Sequence, residues 1–437
     1  MANFVKTQQE ILEKLNIEAL NSMQENAIAV IEKTENTIVL SPTGTGKTLA
    51  FLLPLLNAIE EEKEGIQALI VVPSRELAIQ IEQVFRQMGS GLKVNAVYGG
   101  RAKSKDKIEL KHEPTVLIGT PGRILDHFTD NRIDTSAINF LVLDEYDKIL
   151  EVGFEDELSR IFTHLPKLKK KILTSATESV EVPAFVNFSR PTILNYLKDK
   201  LNENLQLVAV ETEPSEKLER VLDLLTHVGN QNGILFCNLK ASVDTVSEFL
   251  EANKIEHVCF YGGMEQKDRE RSLIKFRNGS SQLLVATDLA ARGLDIPELD
   301  FIIHYELPYS YEEFTHRNGR TARVSEKGTA YILKHTGRKL PDFIPDADPI
   351  EELKVAGVAR PFFKTLFISG GRQDKISKGD IAGVFMKKGG LSKEELGLIE
   401  LKQDCAFVAV PRKKANQLIN KLNNTYFKKR KVRVYEL

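Results

Sequence analysis

Two doubly wound α/β domains in tandem, followed by a small α+β domain, are the architecture this sequence predicts. Two observations carry the prediction. Short apolar runs alternate with helical patterns through two successive stretches, and a basic tail then changes the order of elements. Strands alternating with helices pair in parallel through right-handed crossovers. The fold class is therefore α/β with two parallel sheets, plus an α+β tail.

The first set of runs, between Thr37 and Leu194, reads "TIVL", "ALIVV", "VNAVY", "TVLIGT", "NFLVLD", "KILTS" and "TILN". Such near-continuous apolar strands suit a sheet covered on both faces. A second set follows as "LQLVAV", "GILFC", "IEHVCF", "QLLVAT", "DFIIHY" and "GTAYIL". This assigns residues 1–195 to the first domain and 203–336 to the second, with a polar joint between. The stretch 337–361, rich in Pro and Asp, is expected to be a linker. The tail, 362–437, reads strand "KTLFIS", helix "KGDIAGVFMKK", strands "LGLIELK" and "AFVAV", helix "KANQLINKLN" and strand "KVRVYE", which is the split βαβ order.

At 437 residues and 42% hydrophobic, the chain holds material for more than one core. Its three cysteines show no CxxC spacing, so neither a disulfide framework nor a zinc site is indicated. Apolar stretches such as "FLLPLL" are too short to span a bilayer. A soluble, cytoplasmic, monomeric protein with no membrane contact is expected. The net charge of −1 conceals an imbalance: residues 361–437 carry seventeen Lys and Arg against seven Asp and Glu, leaving the remainder acidic. A basic domain on an acidic protein suggests a polyanion such as nucleic acid, or simply a solvated lysine face.

Chemistry is concentrated in two stretches. After "TIVL" comes "SPTGTGKT": Ser41, Pro42, Thr43, Gly44, Thr45, Gly46, Lys47 and Thr48. A glycine-rich turn between strand and helix aims backbone N–H groups at phosphates, while Lys47 reaches the β and γ phosphates and Thr48 can ligate Mg²⁺. Ser41 stands where the strict pattern has its first glycine. The second stretch, "LVLDEYDKIL" (141–150), runs from an apolar strand into acids that could cap a helix or sit at a site mouth. With a phosphate loop present, Asp144 is read as the Mg²⁺ partner and Glu145 as the group that orients or deprotonates water.

With these motifs the chain resembles a DEAD-box RNA helicase of superfamily two, over almost the whole of residues 4–334. The resemblance implies RecA-like domains, ATP and Mg²⁺ as cofactors, and RNA as partner. It implies that Gln24 in "NSMQENA" reads adenine, that Phe4 stacks on it and that Asp295 meets the ribose. Arg75 in "PSREL", Gly100 in "YGG", and Thr120, Pro121 and Arg123 in "TPGR" resemble RNA-backbone contacts of the first domain. Ser175 and Thr177 in "SAT" resemble the element coupling hydrolysis to unwinding. In the second domain the RNA motifs are "ILFCN" with Asn238, "YGGMEQKDR" with Gly262, Gln266 and Arg269, and "ATDLAARGLD" with Thr287 and Asp288. "HRNGRTAR" supplies Arg320 and Arg323 as fingers on the γ phosphate. Three positions depart from the family pattern: Tyr146 for alanine, Leu20 for proline and Ala322 for glycine. Tyr146 is expected to pack at the strand end, outside the chemistry, with a partner for its hydroxyl.

The tail resembles the C-terminal RNA-binding domain of DbpA-type helicases, with an RRM-like fold. Phe367 and Phe407 match two stacking positions of an RNA recognition motif, while Cys405 and Val410 occupy the others; both rings could equally be buried packing. Lys413, Lys414, Lys428, Lys429 and Arg430 form the expected electrostatic footprint. By resemblance, the target is structured ribosomal RNA of the large subunit. Alternatives are an RNA clamp or annealing chaperone whose grip ATP regulates, and a DNA translocase.

Overall fold

The computed structural model describes residues 6–437, except 43, 61, 179–180, 198–203, 289–298, 323–326, 351–352, 354–356 and 359. They divide into two compact units, one before residue 204 and one from Asn204 onward.

The first unit is built on seven strands: β1 (Asn36–Leu40), β2 (Ala68–Val71), β3 (Val94–Val97), β4 (Val116–Gly119), β5 (Phe140–Leu143), β6 (Lys170–Ser175) and β7 (Thr192–Asn195). All pair in parallel, in the order β3-β4-β2-β5-β6-β1-β7. Every residue of β2 to β5 is buried, because helices cover both faces. This is why these strands read as unbroken apolar runs.

The second unit repeats the plan with β8 (Leu205–Thr212), β9 (Gly233–Cys237), β10 (Val258–Phe260), β11 (Leu283–Thr287), β12 (Phe301–His304), β13 (Gly328–His335) and β14 (Asp348–Pro349). Its order, β10-β11-β9-β12-β13-β8-β14, is that of the first sheet position for position, and every pair is parallel. The seventh strand comes from the stretch expected to be a linker. Asp348 and Pro349 pair beside Val208 and Ala209, and Ile344 is buried nearby. A two-residue strand containing proline carries no strand pattern, and only an edge tolerates it.

The tail adds an antiparallel sheet with the order β16 (Ile399–Leu401), β17 (Ala406–Pro411), β15 (Phe363–Ile368), β20 (Val434–Glu436). Leu366, Ile368, Val408 and Val410 point into its core beside Ile381 and Phe385 of the helix Lys378–Lys387. The run "KVRVYE" is split: Arg430–Val432 forms β19, hairpinned with β18 (Thr425–Phe427), and only Val434–Glu436 joins the main sheet. Of the ten described non-glycine residues with positive φ, two lie in the sequence motifs. Glu145 has φ +51° and Ala322 φ +53°, a left-handed region that disfavours side chains bearing Cβ. At Ala322 the family's glycine would sit without that penalty.

His304, at the end of β12, is fully buried between Phe236 and Phe314, with ring centroids at 6.4 and 5.4 Å, and its Nε2 is 3.0 Å from Asn318 Oδ1. Burial, aided by the Arg317 charge, pushes its pKa down to about 3. The unfolded chain, with an ordinary value of about 6.5, therefore binds the proton first as pH falls. His304 stabilises fully above pH ~6.5 and progressively less below it. In urea melts, moving from pH 7 to 5.5 should cost the wild type about 1 kcal/mol more than His304→Phe.

Candidate functional site

In a parallel sheet all carboxyl ends lie on one edge, where α/β proteins collect ligands. In the first unit the central strands β5, β6 and β1 are neighbours, with Leu143 beside Leu173 and Leu40 beside Ser175. Their ends are "DEYD", "SAT" and "SPTGTGKT". The three motifs that the sequence separates by up to about 130 residues are thereby adjacent.

The phosphate loop is shaped by its glycines and held by its hydroxyls. Gly44 and Gly46 have φ near +85°, and a Cβ on Gly46 would stand 2.4 Å from Gln24 Nε2. Thr45 Oγ1 is 2.8 Å from Ser41 Oγ and donates to Pro42 O at 2.9 Å, so Ser41 replaces the missing glycine with a stabilising contact. Lys47 Nζ donates to Ser41 O at 2.5 Å, and Lys47 and Thr48 open the helix Lys47–Ala58. That helix end carries the N–H groups and positive dipole suited to phosphate. Gln24 closes the loop from above: its Oε1 accepts from Asn21 N and its Nε2 donates to Gly46 O at 3.1 Å. Phe4, Thr43, Asp295 and Arg323 lie outside the described residues.

Asp144 is 3% exposed, and burial raises its pKa against the opposing Thr174 hydrogen bond and Lys47 charge. Thr174 Oγ1 and Glu145 N both donate to its Oδ1. Thr174 also accepts from Glu145 N at 3.1 Å, so a threonine of β6 fixes both acids. Asp147 accepts from Thr177 Oγ1 at 3.3 Å, and Ser175 Oγ donates to Thr177 O at 2.8 Å. "DEYD" and "SAT" are therefore one hydrogen-bonded assembly. Among the described residues no group of three or more His, Cys, Asp or Glu could enclose a metal. Tyr146 is 2% exposed and packs in the core beneath the site, with its hydroxyl unpartnered, contrary to the expected hydrogen bond.

The expected RNA contacts of this unit gather farther along the same edge. Arg75 lies over Gly100, where a Cβ would stand 2.1 Å from its guanidinium. Arg123 Nη2 donates to Arg101 O at 2.6 Å, and Thr120 and Pro121 open its helix. Beneath them lies the fully buried Asp106, bonded to Arg101, to His127 Nε2 at 3.1 Å and to Arg123 at 3.3 Å. Burial alone would raise its pKa; these partners outweigh it and hold the carboxyl below its ordinary range. Asp106 carries no motif signature and was invisible in the sequence.

In the second unit the buried Arg317 organises the corresponding edge. It donates to Asp288 Oδ1 at 2.7 Å, Asn238 Oδ1 at 2.7 Å and Glu306 O at 2.6 Å. Thr287 ends β11 beside them, while Gly262 leads to the helix Gln266–Arg277, with Arg269 over the Phe260 ring. Arg320 is 6% exposed, three residues beyond Arg317. In the tail Phe367 faces Phe407 and Tyr435 across the sheet, with centroids at 5.6 and 4.7 Å, but Phe407 is only 5% exposed. Lys413 and Lys429 are exposed; Lys414, Lys428 and Arg430 pair with Glu395, Asp380 and Asp374.

Two parallel sheets of one strand order, the first ending in a phosphate loop with paired acids, define a two-domain P-loop nucleotide hydrolase. Family comparison gives the specific class. Residues 21–185 match the DEAD/DEAH box helicase model, 216–325 the helicase conserved C-terminal domain and 365–436 the DbpA RNA binding domain. The chain is 29% identical to the ATP-dependent RNA helicase DbpA of Bacillus subtilis, over 97% of this chain and 96% of that one. It is 35% identical to eukaryotic initiation factor 4A of Caenorhabditis elegans, over 73% of this chain and 82% of the relative. Its fold is similar to S. cerevisiae Dbp5 bound to RNA and ADP BeF3, with TM-score 0.67, 27% identity, and coverage of 75% and 87% of the two chains. The chain belongs to the DEAD/DEAH-box helicase family and is a DEAD-box ATP-dependent RNA helicase with a DbpA-type C-terminal domain.

The buried, unpartnered Tyr146 hydroxyl generates a prediction. Tyr146→Phe removes a desolvated donor and should stabilise the first unit by about 1 kcal/mol in denaturant melts, with RNA-stimulated turnover unchanged. A drop in turnover at full stability would give the hydroxyl a chemical role.

Proposed function

We propose that this helicase remodels structured ribosomal RNA of the large subunit during its assembly, as a cytoplasmic monomer. The observation that carries the reading is a DbpA-type RNA-binding domain, ten charges positive over residues 361–437, joined to a DEAD-box helicase. Phosphate contacts by such a surface supply affinity, and the helicase motifs supply work.

In this reading Lys47 and the loop from Ser41 to Thr48 hold the triphosphate, and Thr48 and Asp144 would hold Mg²⁺, which would supply positive charge against the developing phosphate charge. Glu145, fixed by Thr174 through its backbone, orients the attacking water and accepts its proton. Gln24, Phe4 and Asp295 recognise the nucleoside, and Arg320 and Arg323 stabilise charge in the transition state. Arg75, Gly100, Thr120, Pro121 and Arg123 hold one stretch of RNA backbone; Asn238, Gly262, Gln266, Arg269, Thr287 and Asp288 hold another. Thr177, bonded to Asp147, and Ser175, bonded in turn to Thr177, are the path from the hydrolysis acids to the RNA contacts. Lys413, Lys414, Lys428, Lys429 and Arg430 grip the structured RNA, with Phe367 and Phe407 as further candidates for base contact.

ATP hydrolysis measured without nucleic acid, with poly-RNA and with a large-subunit ribosomal RNA fragment tests the reading. The fragment should stimulate most, the advantage should shrink as salt rises, and Glu145→Gln should bind ATP without hydrolysing it. Equal stimulation by any RNA would leave a helicase without the ribosomal assignment.

A further inference from the structure

The tail is fastened to the second α/β domain by a set of charged contacts that no motif assigns. Arg277 Nε and Nη2 donate to the two oxygens of Glu400 at 2.8 and 2.9 Å, with side-chain exposures of 19% and 15%. Arg412 makes a second fork, to Glu256, with Nη1 at 2.6 Å from Oε1. Lys402 reaches Glu270 at 2.6 Å. Between the forks Ser280 Oγ lies 2.6 Å from Thr365 Oγ1 and Asn278 Nδ2 donates to the same hydroxyl at 3.3 Å, all three residues being buried.

Isolated exposed ion pairs contribute little, but two bidentate forks flanking buried hydroxyls fix both distance and orientation. Their location gives them a consequence. Glu256 and Ser280 precede β10 and β11, so the tail sits on the amino edge of the second sheet, opposite the edge bearing Asn238, Thr287 and Asp288. One helix joins the two edges: Gln266–Arg277 begins with the expected RNA contacts Gln266 and Arg269 and ends in the arginine that grips the tail. Twelve helical residues set that separation at roughly 16 Å. On the tail side the contacts use Thr365 and Glu400, which lie on the sheet face of Phe367 and Phe407. Much of that face is therefore engaged by protein.

We propose that Arg277, Glu256, Glu400 and Arg412 are positioning residues that hold the tail and the second domain as one body. RNA anchored on the tail's lysines is thereby presented at a fixed distance from the RNA track of the second domain. The proposal rests on the reading that the tail anchors structured RNA, and it adds that productive stimulation needs the latch as well as the anchor. A tail on a loose tether would still bind its RNA but would deliver the neighbouring strand to the track at a lower effective concentration.

The test uses the full chain with Glu256→Arg and Arg412→Glu, singly and together. Dyes on Ala252→Cys and Lys393→Cys, with Cys259 and Cys405 changed to serine, report the distance between tail and second domain by single-molecule energy transfer. The wild type should give one narrow distribution, each single reversal a broad one, and the double exchange a narrow one again. Turnover stimulated by the large-subunit RNA fragment should fall by about tenfold or more in each single reversal and recover in the exchange. Fragment affinity and poly-RNA-stimulated turnover should stay at wild-type values. A broad distribution in the wild type, or single reversals that leave fragment-stimulated turnover intact, overturns the proposal. A wild type stimulated equally by fragment and poly-RNA ends the ribosomal reading alone, and the distance distributions then decide the latch.

Discussion

The register of three parallel strands governs the rest of the first domain. Pairing Leu143 with Leu173 and Leu40 with Ser175 puts the paired acids, the "SAT" element and the phosphate loop side by side. The register is enforced because these strands are buried on both faces. Thr174 then acts as a hinge pin: one hydroxyl holds Asp144 Oδ1 and the Glu145 amide, so the acids cannot move independently of β6. The left-handed backbone of Glu145 stores local strain that this packing sustains, a feature that clusters at functional sites.

The second domain uses the same strand order for a different task. Where the first sheet presents a phosphate loop, the second presents Arg317, buried and bonded to Asp288, Asn238 and the Glu306 carbonyl. A guanidinium with fixed fork geometry suits this role, since it ties three separate strand ends with directional bonds. The tail then extends the domain from the opposite edge. The Arg317 edge and the DbpA-type tail therefore lie on opposite edges of one sheet.

Much of this was legible in the sequence because doubly buried strands write themselves as apolar runs; the seven strands of the first sheet lie where those runs are. The phosphate loop and "DEYD" were legible because their chemistry demands particular residues at fixed spacing. Other features leave no local mark. Thr174 looks like any β-branched strand residue, and Asp106 sits in a charged helix whose partners come from two other segments. Asp348–Pro349 is too short to show alternation and looks like a turn. The latch joins residues 123 and 156 positions apart, so each of its charges passes for ordinary surface. Tyr146 was expected to find a hydroxyl partner; the core around it offers apolar volume and nothing to bond.

In the proposed reading Asp144 binds the cation that accompanies ATP, and a carboxylate buried this deeply with no cation beside it is a liability. Binding of a fluorescent ATP analogue to the full chain and to Asp144→Asn, each with and without Mg²⁺, addresses this directly. The wild type should bind at least about tenfold more tightly with Mg²⁺, and the variant should lose that gain while keeping its magnesium-free affinity. A variant that retains the full magnesium dependence would contradict the account.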